Sequence, residues 1–244
     1  MIKTENVLAP SPAKIVKTEK MTEIERLIQL EFLDKEFAQN FVYKPGQFVE
    51  VSVMGVGEAP ISICATRKRP EILELCVRKV GRVTNAIHNR KVGDLLWIRG
   101  PYGNGFPMEK MEGSNLLLIA GGLGIAPLRG VLQYALENRE KYGDITVFYG
   151  IRSYNLMLFR EEFLQLYREG DKQGVRFYLS YEDKEDQECI RLQQERPDRC
   201  TPGVVTKIFE ITEVTPENTY AIICGPPIMY KFVVQELMKR NFDP

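Results

Sequence analysis

Val49, Val51 and Val53 alternate with Glu50 and Ser52, and Leu73, Leu75 and Val77 alternate with Glu74 and Cys76. A period of two gives a strand one wet face and one buried face, as in an antiparallel sheet or a small barrel. Such strands fall between turn residues: Lys44-Pro45-Gly46, Gly55-Val56-Gly57, Lys68-Arg69-Pro70 and Val92-Gly93-Asp94. The front of the chain therefore predicts an all-β unit. One short helix is expected inside it, over Thr84 to Asn89, opened by Gly81 and Thr84.

After Pro107 the rhythm changes. Leu116 to Ala120 is a continuous apolar run, suited to a strand covered on both faces. Glycines follow, and then an amphipathic helix is expected from Pro127 to Arg139. Ile145 to Tyr149 predicts a second strand, Leu158 to Arg168 a helix, Val175 to Ser180 and Tyr220 to Cys224 further strands, and Ile228 to Arg240 a closing helix. Alternating β and α elements imply right-handed crossovers and a parallel sheet with helices on both faces. The boundary is expected between Pro107 and Ser114. Two domains result: an antiparallel β-barrel over 1–107 and an α/β parallel-sheet domain over 108–244.

Charge sharpens that division. The 244 residues carry 33 Lys+Arg and 33 Asp+Glu, so no net field draws the chain to nucleic acid or an anionic membrane. Residues 1–107 hold 16 basic and 12 acidic side chains (+4), and 108–244 hold 17 and 21 (−4). A single histidine, His88, excludes a multi-histidine metal site or a histidine relay. The five cysteines (Cys64, Cys76, Cys189, Cys200 and Cys224) contain no C-x-x-C pair. That argues against a zinc site or an iron–sulfur cluster within these residues, and against a secreted disulfide framework. No apolar run at the start resembles a signal peptide, and Leu116 to Leu128 is too short to span a bilayer. The expectation is a cytoplasmic protein without membrane insertion.

Three glycine-bearing turns hold the candidate chemistry. Gly121-Gly122-Leu123-Gly124-Ile125-Ala126-Pro127-Leu128 joins a strand to a helix. Glycines let the backbone approach a ligand, and a helix start offers unpaired N–H groups and the positive end of its dipole. The turn reads as an anion cradle or as a tight turn packed for its own sake; it does not meet G-x-G-x-x-G. Cys224-Gly225-Pro226-Pro227-Ile228-Met229 again lies where a strand meets a helix, with Cys224 either beside that cradle or simply a buried structural thiol. Gly100-Pro101-Tyr102-Gly103-Asn104-Gly105-Phe106 closes the β unit and reads as a linker. The acidic run Glu182 to Glu188 is a docking patch for a basic partner or a solvated loop.

In this order the three motifs resemble the ferredoxin–NADP reductase superfamily, over Ile15 to Met238. Within it, Ala59-Pro60-Ile61-Ser62-Ile63 resembles the flavin-bearing subunits of sulfhydrogenase (gamma) and of dihydroorotate dehydrogenase B. The resemblance implies FAD in the front barrel and NAD(P)H as substrate of the back domain. It implies that Ala59, Pro60, Ile61 and Ser62 lie along the isoalloxazine, Ser62 near N5 and Ile61 against the ring. It implies that Arg78, Gly81, Val83 and Thr84 meet the flavin phosphates, and Gly121, Gly122 and Gly124 the dinucleotide pyrophosphate. Cys224 and Gly225 would flank the nicotinamide, making Ser62 and Cys224 the catalytic pair. Arg152 would meet the adenosine ribose or its 2′-phosphate, or pair with Glu161 or Glu162.

The family's usual Arg-x-Tyr-Ser has Ala59 and Ile61 at its Arg and Tyr positions here, which puts the neutralising weight on Arg78. The related subunits continue into a cysteine-rich [2Fe-2S] segment, so a cluster is expected only if a segment beyond Pro244 exists. The resemblance implies a hydride-exchanging subunit of a hetero-oligomeric redox complex, with iron–sulfur and catalytic subunits as partners. A stand-alone flavin or ferredoxin reductase is the alternative, and a non-catalytic flavin- or dinucleotide-binding regulatory module is a third reading.

Overall fold

A computed structural model describes residues 9–67 and 71–243. The turn expected at Lys68-Arg69-Pro70 lies outside the described residues. The chain divides into two compact units, Met1–Phe106 with Arg129–Gln133, and Pro107–Leu128 with Tyr134–Pro244.

The first unit contains β1 (Ser11–Lys20), β2 (Glu25–Phe32), α1 (Lys35–Asn40), β3 (Phe48–Val53), β4 (Gly57–Ser62), β5 (Ile72–Arg78), α2 (Arg82–His88) and β6 (Leu95–Tyr102). Its strands form one antiparallel sheet in the order β4-β3-β6-β1-β2-β5. Ile63 bridges to Leu75 just past the end of β4, which brings the two edge strands together and closes the sheet into a barrel. The alternation in the sequence becomes the barrel interior: Val49, Val51, Val53, Leu73, Leu75 and Val77 are buried with Ile15, Ile28, Leu30, Leu96 and Ile98. Each such side chain contributes about 2 kcal/mol through burial. Helix α2 lies against this barrel through Val83, Ala86 and the fully buried Ile87, residues spaced three and four apart on one helical face.

The second unit contains β7 (Asn115–Gly121), α3 (Ile125–Glu137), β8 (Ile145–Ile151), α4 (Arg160–Glu169), β9 (Val175–Tyr181), α5 (Gln187–Glu195), β10 (Cys200–Pro202), β11 (Thr219–Cys224) and α6 (Pro227–Met238). All sheet pairings are parallel, in the order β10-β9-β8-β7-β11. Leu117 and Ile119 of β7 face a cluster that includes Val233 and Leu237 of α6. On the other face Phe163 of α4 stacks on Phe177 of β9 at 5.4 Å and meets Tyr149 edge-on. Helices therefore cover both faces, as a strand buried on both sides requires.

Helix α3 starts two residues before the expected Pro127, because Ile125 and Ala126 already take helical geometry after Gly124. Strands run outward from β7 through β8 and β9 to β10, while β11 returns to the other side of β7. That reversal is a topological switch point, and the crevice beyond the strand ends there is where open α/β sheets receive ligands.

Candidate functional site

In the first unit, the segment expected along a flavin is β4 itself. Register pairs Ala59 with Val51 and Ile61 with Val49, so these two share the face of the buried valines, and Ile61 packs on the core. Pro60 and Ser62 point to the opposite face with Glu50 and Phe48. Ser62 is half-buried, and its hydroxyl makes no hydrogen bond among the described residues. Phe48 pairs with Tyr102 of β6, their rings 5.9 Å apart. Pro60, Ser62, Phe48 and Tyr102 thus share one face, while Ile61 packs on the barrel core.

Arg78 ends β5, directly opposite Glu25 at the start of β2. Its Nε donates to Glu25 Oε1 at 2.5 Å, and the two terminal amino groups have no partner among the described residues. Beyond it the chain turns into α2 through Gly81, which has extended backbone and offers no side-chain cap. Thr84 does not face outward: its hydroxyl accepts from the N–H groups of Val80 and Gly81 at 3.0 and 2.9 Å and is buried. It shapes the turn and leaves the first-turn N–H groups of α2 free of intrahelical bonds. Val83 packs inward and lies 3.4 Å from where a Cβ on Gly57 would stand. Lys79 and Arg82 are exposed near Arg78 in sequence and have no side-chain partner among the described residues. Between Cys76 and Thr84 the sequence has three cations and no carboxylate. This donor set fits the diphosphate of FAD.

His88, at the end of α2, has a structural role. Its Nε2 lies 2.8 Å from the carbonyl of Val77, and its own carbonyl accepts from Arg26 Nη1 at 2.7 Å. Burial pulls its pKa below the ordinary imidazole value, against a smaller opposing effect of the Val77 bond. The ring is therefore neutral at pH 7 and donates its proton to Val77.

In the second unit, Gly121 ends β7, and Cys224 ends β11 paired with Ala120. The two turns beyond them pack directly on one another. A Cβ on Gly121 would stand 2.6 Å from Met229 Sδ, and one on Gly225 would stand 2.5 Å from Met229 Cε. A Cβ on Gly124 would fall on the carbonyl oxygen of Cys224, deep inside contact distance. Gly122 takes positive φ (52°). Backbone packing thus requires Gly124, whereas at Gly121 and Gly225 the nearest atoms belong to the flexible Met229 side chain. Gly121, Gly122 and Leu123 are half-buried, whereas Gly124, Ile125 and Ala126 at the start of α3 are buried, so any ligand access in this turn lies ahead of Gly124. Pro127 falls inside the first turn of α3, where its missing N–H costs nothing.

Cys224 is half-buried, whereas the other four cysteines are buried. Burial raises its thiol pKa above the ordinary value, partly offset by a hydrogen bond with Tyr230. In this geometry the Tyr230 hydroxyl proton goes to the carbonyl of Ile223 at 3.1 Å, which braces the end of β11. Arg152 follows β8 and is exposed. The acidic run is a structured loop: Asp186 caps α5 by accepting from Glu188 and Cys189 N–H groups. Cys189 and Cys200 are unbridged, each thiol pushed up to about 12 by burial. No metal-binding group of His, Cys, Asp or Glu occurs among the described residues.

Glu25 and Tyr230 were not singled out in the sequence, and Met229 only as the last residue of its motif. Glu25 lies 53 positions from Arg78, and only the β2–β5 register joins them.

A closed antiparallel barrel followed by a switch-point α/β unit defines the two-domain reductase class. Chains of solved structure share it: the flavohem-like FAD/NAD binding domain of nitric oxide dioxygenase from Vibrio cholerae superposes with TM-score 0.79 at 20% identity, covering 96% of this chain and 95% of that one. The Amycolatopsis cytochrome P450 reductase GcoB gives 0.78 at 24% identity, over 96% and 67%.

Residues 118–235 match the oxidoreductase NAD-binding domain family. Sulfhydrogenase 2 subunit gamma of Pyrococcus furiosus is 50% identical over 95% of this chain and 80% of its own length. Sulfhydrogenase 1 subunit gamma of the same organism is 40% identical over 100% and 80%. A probable dihydroorotate dehydrogenase B electron transfer subunit of Thermococcus kodakarensis is 38% identical over 48% and 45%. The chain belongs to the sulfhydrogenase gamma-subunit family of the ferredoxin–NADP reductase superfamily.

Proposed function

We propose that this chain is the NAD(P)H-linked, FAD-bearing electron-transfer subunit of a hetero-oligomeric redox complex. It exchanges hydride with a nicotinamide dinucleotide and single electrons with an iron–sulfur partner. One observation carries the reading: Arg78 has both terminal amino groups unspent beside the uncapped start of α2, a ready diphosphate receptor on a barrel of this class. FAD, when bound, supplies the exchange between two-electron and one-electron chemistry.

The residues bind and orient. Arg78 and the first turn of α2 neutralise the flavin diphosphate, and the free Ser62 hydroxyl donates to the ring beside Pro60. The turn of Gly121, Gly122 and Gly124 ahead of α3 takes the dinucleotide pyrophosphate through its half-buried first residues. Cys224 and Gly225 flank the nicotinamide, and Arg152 meets the ribose side. Hydride exchange needs no general acid or base, in keeping with a single histidine already occupied by Val77.

The subunit names of the relatives support partner subunits for this chain, with iron–sulfur and catalytic proteins as the finer proposal. A cytoplasmic setting belongs to the same proposal; among the described residues no helix is long and apolar enough to cross a membrane. A [2Fe-2S] cluster enters only with a segment beyond Pro244.

The test is anaerobic titration of the purified chain with FAD, followed by NADH or NADPH. Stoichiometric flavin uptake and bleaching of its visible absorbance are expected. A chain that takes up no flavin sinks the reading, and bound flavin that neither dinucleotide bleaches supports the regulatory module instead.

A further inference from the structure

Arg78 is fastened by a buried carboxylate. Glu25 is 4% exposed, whereas the Arg78 side chain is 40% exposed. Both carboxylate oxygens are engaged: Oε1 accepts from Arg78 Nε at 2.5 Å, and Oε2 accepts from the Thr22 hydroxyl. The Thr22 hydroxyl in turn accepts from the N–H groups of Ile24 and Glu25 at 3.1 and 3.0 Å, so the carboxylate is fixed by the β1–β2 hairpin. A guanidinium is a rigid plane. Holding its Nε fixes where its two terminal amino groups point.

The charge balance requires an explanation. A carboxylate beside a phosphate receptor subtracts from anion attraction, and burying it costs free energy unless it is paired. Lys79 and Arg82, exposed near Arg78 in sequence and without a side-chain partner among the described residues, restore the positive surplus. The carboxylate therefore has a use other than charge.

We infer that Glu25, seated by Thr22, is a positioning residue that holds the Arg78 guanidinium in the orientation that takes the flavin diphosphate. The inference rests on the proposed flavin function. It assigns to the β1–β2 hairpin, far from the flavin motifs in sequence, a share in recognising FAD over flavins that lack a diphosphate.

The test is fluorescence-quenching titration of the full chain with FAD and with riboflavin. Glu25→Ala is expected to weaken FAD about tenfold while leaving riboflavin unchanged. Glu25→Gln keeps an acceptor for Nε but loses the acceptor for the Thr22 hydroxyl, and weakens FAD less than Ala does. Glu25→Asp keeps the charge but falls one methylene short, and weakens FAD as Ala does. In an Arg78→Ala background, Glu25→Ala has no further effect.

Unchanged FAD affinity in Glu25→Ala overturns the inference, and so does a parallel loss of riboflavin, which marks a merely structural role. Should the Ala variant not fold, the Asp and Gln pair decides: FAD bound more tightly by Asp than by Gln overturns it. Failure of the unaltered chain to bind FAD overturns the flavin reading itself, a distinct result.

Discussion

Two helices in this chain begin at a glycine, and the two glycines stand in opposite surroundings. A Cβ added to Gly81, before α2, meets nothing within 4 Å, while one added to Gly124, before α3, lands on the backbone of Cys224. In sequence the second reads as an anion cradle or a packed turn, and the resemblance implies a phosphate site at the first. In space the first is open toward solvent, with three cations near it in sequence, and the second is the contact point of two turns at the switch point of the sheet. Chain-on-chain packing therefore requires the glycine at Gly124 and does not require it at Gly81, where ligand access is the proposed cause.

The largest effect expected from this contrast is on stability. Gly124→Ala forces a methyl into the Cys224 carbonyl, and a backbone atom of a paired strand end cannot swing aside. A loss of about 3 kcal/mol is expected, read as a fall in denaturation midpoint at unchanged m-value. A change below about 0.5 kcal/mol means that the two turns separate easily and that packing is not why the glycine is there.

The second turn also carries the reactive end of β11. Cys224 is half-buried with its pKa raised by burial, so at pH 8 it holds less thiolate than a free cysteine, and the thiolate is the nucleophile. Alkylation of the folded chain by iodoacetamide should label Cys224 first, at a rate about tenfold below that of a free thiol. The rate should climb with pH past 9, because a raised pKa moves the rise upward. Bound dinucleotide should slow it further if Cys224 flanks the nicotinamide. Labelling of Cys76 or Cys200 ahead of Cys224 contradicts this, since burial holds both near 12.

Much of the architecture was legible because burial writes period two and continuous apolar runs into a chain. Val49-Glu50-Val51-Ser52-Val53 and Leu116 to Ala120 became β3 and β7 within a residue or two. β1 was less distinct: a register shift between Ile15 and Lys17 breaks the alternation on which the reading depends. α1 is only six residues, held by its Asp34 cap and by Phe37 and Phe41 packing with Phe32, and has too few turns to show a helical period.

The site was legible as motifs but not as contacts. The sequence brought Ala59–Ser62 forward as one strip, whereas the pleat splits it, Ile61 to the core and Ser62 to the open face. It brought Arg78 forward alone, since a partner 53 residues away leaves no local trace. The contact of Met229, whose sulfur lies over both Gly121 and Gly225, is likewise visible only once the two turns meet.

Gly81→Ala is the smallest perturbation and separates the two causes most sharply. Its backbone is extended, a conformation alanine adopts freely, and the added methyl touches no protein atom. Stability should move by less than about 1 kcal/mol, the difference between glycine and alanine at a helix start. A diphosphate held at the first turn of α2, as proposed, would lie beside the added methyl. FAD affinity should therefore fall about threefold, with the fold intact and riboflavin affinity unmoved. If FAD binds Gly81→Ala as it binds the unaltered chain, the diphosphate does not approach that turn, and Arg78 holds it from its other side.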